Sequence, residues 1–115
     1  MLNSVILVGR LTKDPTVVET ENKTKRTILT LAIPREFKNQ DGTYDTDFII
    51  CTLWNTVAEH TCEYCRKGDI IGIRGRIQTS SYVKDEETKY RIDIMVSKVS
   101  FLMNKPKESI KEETS

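Results

Sequence analysis

Five stretches of this chain carry strand signals, as unbroken aliphatic runs or as apolar residues with a period of two, and one carries helical spacing. Asn3 to Leu11 is a strongly aliphatic run that ends at Asp14-Pro15. Thr27 to Ile33 is a second run, stopped by Pro34, which has no amide hydrogen for a ladder and suits a strand end. Asn39-Gln40-Asp41-Gly42 follows, and Asp-Gly between two strand patterns predicts a hairpin tip. The third run spans Asp47 to Trp54 and the fourth Asp69 to Thr79. Asp85-Glu86-Glu87 marks a second hairpin tip. The fifth run, Tyr90 to Val96, sets Tyr90, Ile92, Ile94 and Val96 against Arg91, Asp93 and Met95, and stays extended to about Met103.

Thr56 to Lys67 breaks this rhythm. Ala58, Cys62 and Cys65 fall at helical spacing, with Val57 and Thr61 alongside. Asn55 or Thr56 can cap the N-terminus, with Glu59 placed for a capping box. Arg66 and Lys67 suit the C-terminal dipole, and Gly68 the residue just after it. Three strands, one helix and two strands predict an all-β OB-fold, a five-stranded Greek-key barrel with one helix between strands 3 and 4. The domain runs over residues 1–103. From Asn104 the polar NKPKESIKEETS, with three lysines and three glutamates, predicts a short disordered tail over 104–115.

Composition narrows the function classes. The chain has 115 residues, 37% hydrophobic and 30% charged, enough to bury a core without staples. Its longest aliphatic runs, such as Val5-Ile6-Leu7-Val8, are far too short to cross a bilayer. The N-terminus lacks a basic leader and a cleavage site, so a reducing cytoplasm is expected, in keeping with an odd count of three cysteines. Net charge is only +1, but acids gather in loops while Arg10, Lys13, Arg35, Lys38, Arg74, Arg76 and Lys84 lie on or near strand ends. A near-neutral total can hide one positive face.

The candidate chemistry is binding rather than catalysis. Alternation in IRGRIQTSSY sends Ile73, Gly75 and Ile77 to one face and Arg74, Arg76, Gln78, Ser80 and Tyr82 to the other. The polar face carries cations for phosphates and ends on a ring for bases, although an ordinary solvated strand face has the same pattern. On the third run Phe48, Ile50, Thr52 and Trp54 face away from the apolar set Ile49, Cys51 and Leu53. Phe48 and Trp54 are then stacking platforms, roughly 20 Å apart along an extended chain, or half-buried packing residues. Phe37, just beyond a strand end beside Arg35 and Lys38, and Tyr82, near Lys84, complete four aromatics with nearby cations. No metal site is expected. Cys62 and Cys65 share a helix face, but His60 points elsewhere and Cys51 faces the core, so four ligands do not converge. One histidine, no Gly-x-Ser-x-Gly and no glycine-rich phosphate loop leave an enzyme without parts. No cofactor is expected.

LNSVILVGRLTKDP, DFIICTLWN, YCRKGDIIGIRGRIQTSSY and VSKVSFL, in that order from Leu2 to about Met103, resemble the bacterial-type single-stranded DNA-binding protein family. The resemblance implies an OB-fold that assembles as a homotetramer and binds single-stranded DNA without sequence preference. It implies base stacking on Phe37, Phe48, Trp54 and Tyr82, and phosphate contacts from Arg10, Lys13, Arg35, Lys67, Arg74 and Arg76. Asn55-Thr56 and Ser80-Ser81 depart from it, standing where members often carry cations, and predict weaker or more salt-sensitive binding. The ending KEETS has no acidic run closing on Pro-Phe, so recruitment of replication proteins by a C-terminal tip is not expected. The ending looks more like that of short paralogues associated with DNA uptake, or of copies on phages and mobile elements. The expected role is protection of single strands in replication, recombination, repair or DNA uptake, near the nucleoid. An OB-fold RNA-binding module, and a structural subunit that buries the same aromatics against protein, are the alternatives.

Overall fold

In a computed structural model, residues 1–103 are described; the predicted tail over 104–115 lies outside the described residues. Among the described residues, six strands and one helix follow one another as β1 (Val5–Leu11), β2 (Val18–Glu19), β3 (Lys25–Lys38), β4 (Tyr44–Trp54), α1 (Asn55–Tyr64), β5 (Ile70–Lys84) and β6 (Glu87–Met103). The long strands pair in the order β1-β5-β6-β4-β3, and β3 pairs back onto β1 through Arg10 with Ala32 and Leu11 with Leu31. That last pairing closes a five-stranded barrel. All contacts are antiparallel except β4 with β6, which run parallel through Cys51 with Ile94 and Thr52 with Met95. The helix between the third and fourth long strands completes the OB-fold layout that the order of elements predicts.

Leu11, Leu29, Leu31, Leu53, Ile71 and Ile73 fill the barrel, each at most 2% exposed. Ala58 and Thr61 of α1 close one end of it, with Cys65 just after the helix. Burial pushes the Cys51 thiol up to about 12 and that of Cys65 up to about 11. Both stay protonated, unreactive packing groups at neutral pH. Cys62 is half-buried and its sulfur lies 3.1 Å from Thr27 Oγ1.

Strand existence follows the sequence pattern; strand ends do not. β3 passes through Pro34 instead of stopping there, because the β3–β4 register shifts between Pro34 and Lys38, where a residue without an amide hydrogen is tolerated. β5 runs to Lys84 rather than Thr79. Asp85 and Glu86 both take positive φ (53° and 65°), the geometry of a two-residue hairpin turn, so β5 and β6 stay paired to the tip, Lys84 opposite Glu87. Hence Tyr82 and Phe37 lie within strands, not beyond them. Ile77 shares a face with the buried Ile73, an aliphatic face that suits a core, yet is 43% exposed because the hairpin leaves the barrel there. β2 is two residues long and has no period to detect.

The helix is shorter than its sequence pattern, ending at Tyr64. Its N-cap is Trp54 with no side-chain cap. Asn55 Oδ1 accepts from the Lys25 amide at 3.4 Å, and Glu59 pairs with Lys25 Nζ at 3.2 Å, so the expected capping box does not form. At the other end Arg66 Nη1 donates to the carbonyls of Cys62 (2.8 Å) and Cys65 (2.7 Å), as the dipole argument predicts. Gly68 sits past the helix end with φ 93°, and its amide donates to the Leu11 carbonyl.

Candidate nucleic-acid interface

The period-two alternation of β4 builds the first part of the site. Cys51 and Leu53 turn inward, so Phe48, Ile50 and Trp54 turn outward; Phe48 is 64% exposed and Trp54 half-buried. Cross-strand partners on β3 bring Ala32 opposite Phe48 and Arg26 opposite Trp54. The Arg26 guanidinium stands 6.0 Å from the Trp54 ring centroid. Between this face and the β5–β6 hairpin lies an open groove of about 520 Å³, whose polar walls include Arg26, Trp54, Gln78, Ser80 and Arg91. A second hollow of about 380 Å³ sets Trp54 beside Arg74 and Arg76. Both arginines are exposed on the outward face of β5, and Arg76 Nη1 donates to Gln78 Oε1 at 2.7 Å. The site can therefore offer flat apolar rings flanked by guanidiniums, with no activated nucleophile. Among the described residues no group of three or more His, Cys, Asp or Glu side chains is placed to hold a metal ion.

The other sequence-predicted residues spread outward from this centre. Tyr82 is exposed on the hairpin opposite Lys89. Phe37, 82% exposed, stands on the arm formed by the far ends of β3 and β4, where Lys38 lies 5.9 Å from the Tyr44 ring. Arg35 on that arm is already engaged. Its Nε and Nη2 donate to Asp47 at 3.2 and 3.0 Å, with Asp45 at 3.9 Å. The hydrogen bonds from Arg35 hold the Asp47 carboxyl below the usual carboxylate range, and those to Asp47 raise Arg35. Arg10, Lys13 and Lys67 gather elsewhere, around the end of β1: Arg10 Nη1 donates to the Gly68 carbonyl at 2.6 Å, and the Lys67 amide donates to Asp14 Oδ1 at 2.7 Å. Trp54, Arg74 and Arg76 thus share one hollow and Phe48 continues the same face of β4, while Phe37 and Arg35 on the arm, Tyr82 on the hairpin and the group around the end of β1 lie outside that hollow.

Arg26 and Arg91 were not among the sequence candidates. Arg91 belongs to the polar register of the fifth run, and Arg26 precedes the second. What marks them is the pairing of Arg26 with Trp54 and of Arg91 with Ser80, both decided by strand register.

Comparison with known proteins gives one consistent answer. Residues 2–102 match the sequence model of the single-strand binding protein family. Single-stranded DNA-binding protein B of Bacillus subtilis is 44% identical over 109 residues, covering 94% of this chain and 96% of that protein. The single-stranded DNA-binding protein of Halalkalibacterium halodurans is also 44% identical, over 89% of this chain and 61% of its own length. That of Enterococcus faecalis is 48% identical over 71% of this chain and 44% of its own length. The chain thus spans nearly all of the first relative and only about half of the last two. Barrel, outward aromatics and family match agree: the chain belongs to the single-strand binding protein family.

Proposed function

We propose that this protein binds and protects single-stranded DNA without sequence preference, in replication, recombination, repair or DNA uptake in the bacterial cytoplasm near the nucleoid. The observation that carries the reading is Trp54, outward-facing and flanked by Arg74 and Arg76 in one hollow, with Phe48 further along the same strand face. Bases stack on Phe37, Phe48, Trp54 and Tyr82, and phosphates meet Arg10, Lys13, Arg35, Lys67, Arg74 and Arg76. Stacking needs only a π-face, which every base has, so binding tolerates any sequence.

Assembly as a homotetramer belongs to the same reading. A symmetric tetramer of pairwise contacts needs two different self-complementary surfaces. Two exposed apolar patches support this. Ile6 (71% exposed), Val8 and Leu102 surround Gly72 on the β1–β5–β6 face. Ile77, Val83 and Tyr90 line the back of the hairpin, Tyr90 at 75%. Along β5 the second patch starts at Ile77, five residues and roughly 17 Å from Gly72, and extends to Val83.

Titration of Trp54 fluorescence with oligo-dT, its ribo counterpart and duplex DNA at two salt concentrations tests the function. Quenching by oligo-dT that weakens with salt is expected, since bound phosphates release counterions. No quenching by any single strand would sink the reading and leave a structural subunit. Preference for the ribo strand would make it an RNA module. Read by the anisotropy of labelled oligo-dT, Trp54→Ala and Phe48→Ala should each weaken binding about 5- to 150-fold, from stacking worth about 1–3 kcal/mol per base. Parental affinity in both would dismiss stacking as the mechanism.

A further inference from the structure

We infer that Arg91 of β6 and Arg26 of β3 contact phosphates in the groove beside Trp54, so that its cations come from strand positions that no sequence motif marks. The inference rests on the proposed binding of single-stranded DNA. Arg76, Gln78, Ser80 and Tyr82 of β5 lie opposite Met95, Asp93, Arg91 and Lys89 of β6 in one antiparallel ladder. Directly opposite residues on one face hold their Cβ atoms about 4.5–5.5 Å apart. A guanidinium on Arg91 therefore reaches the same stretch of groove wall as one at position 80, where β5 carries only a serine hydroxyl. Arg91 is available for this. Its side chain is 67% exposed, and its Nε lies 3.4 Å from Asp93 Oδ2. Arg35, by contrast, is held in a two-pronged pair. Arg26 does for Trp54 what Arg91 does for Ser80. It is the direct cross-strand partner of the ring and stands beside it in the same groove. A base stacked on Trp54 brings its phosphate within reach of a charge already there. The groove is therefore less short of cations than Ser80-Ser81 and Asn55-Thr56 suggest.

Fluorescence anisotropy of labelled oligo-dT, across a salt series on the full chain, tests this. Each lost contact to a single strand should lower the slope of log affinity against log salt by about 0.7. Arg91→Ser and Arg26→Gln should each do so and bind severalfold more weakly at low salt. Moving the charge back across the ladder, in the Ser80→Arg, Arg91→Ser double variant, should restore both slope and affinity. Arg91→Lys should keep the parental slope, and thermal melting establishes that each variant is folded. Should Arg91→Ser not fold, Arg91→Gln takes its place. Unchanged slopes in variants of a parent that does bind would overturn the inference while leaving the function standing. An affinity lost at constant slope would overturn it too, since it reports packing rather than charge. A parent that binds no oligo-dT at all removes the function itself.

Discussion

Arg35 and Arg91 are exposed arginines on strands, each beside an aspartate, and geometry separates how firmly each is held. Arg35 grips Asp47 through two nitrogens, and its exposure on both sides of the pair makes this a weak link in water. The link still leaves a signature in pH. The folded-state value of Asp47 is depressed, so its contribution to stability is present above the ordinary carboxylate range and is lost as pH falls through the depressed value. Asp47→Asn should therefore lower the thermal midpoint slightly at neutral pH, with the gap to the parent closing in acid. A gap that stays constant down to about pH 2 would mean that Asp47 titrates no differently once folded. That Arg35 would be paired was not legible, because Asp47 is twelve residues away and meets it only through the β3–β4 hairpin. That Cys51 and Leu53 would be inward and Phe48 outward was legible, because period two is a local property of any strand.

Among the elements, β5 is the one whose precision the site depends on. Its register with β6 shifts between Arg74 and Gly75, from Arg74 opposite Lys98 to Gly75 opposite Val96, leaving Ser97 as an extra residue. Ser97 Oγ donates to the Arg74 carbonyl at 3.0 Å and steadies the bulge. A Cβ at position 75 would collide with the Met95 backbone and come within 3.0 Å of Val96 Cα. Gly75→Ala is thus expected to cost about 1–3 kcal/mol, read from denaturant unfolding, as overpacking a close-packed interior typically does. It should weaken binding as well, since Arg74 and Arg76 flank the bulge. Parental stability would mean that the strands can separate locally without penalty. The sequence pattern shows a glycine between two arginines; it does not show that a neighbouring backbone lies against it.

For the whole molecule, the question is what covers Ile6 and Val8. Their inward neighbours Val5 and Leu7 pack on the core, so a strand apolar on both faces has one face left over. Exposed contiguous apolar surface on a soluble domain marks an interaction site. If β1 supplies one interface of the proposed tetramer and the hairpin back the other, sedimentation of Ile6→Glu should give a smaller assembly than the parent. The Ile6→Glu, Tyr90→Glu double variant should give monomers with unchanged far-ultraviolet circular dichroism. A parent that sediments as a monomer at micromolar concentration would rule out the homotetramer.

By itself the sequence determined the five long strands and the helix among the described residues and most of the inward and outward set of each strand, with exceptions at Ile77 and Thr52, and it singled out four aromatics with Arg74 and Arg76 as candidates. All of these rest on local periodicity and on residue chemistry, which need no knowledge of neighbours. Only the tertiary structure decided that β3 closes onto β1, that β4 meets β6 in parallel, and that hairpin pairing carries β5 on to Lys84. It also decided that Trp54 shares a hollow with Arg74 and Arg76, and that Arg26 and Arg91 face the groove. These depend on register between residues far apart in the chain, which is set by the closing of the barrel and leaves no mark in any single stretch of sequence.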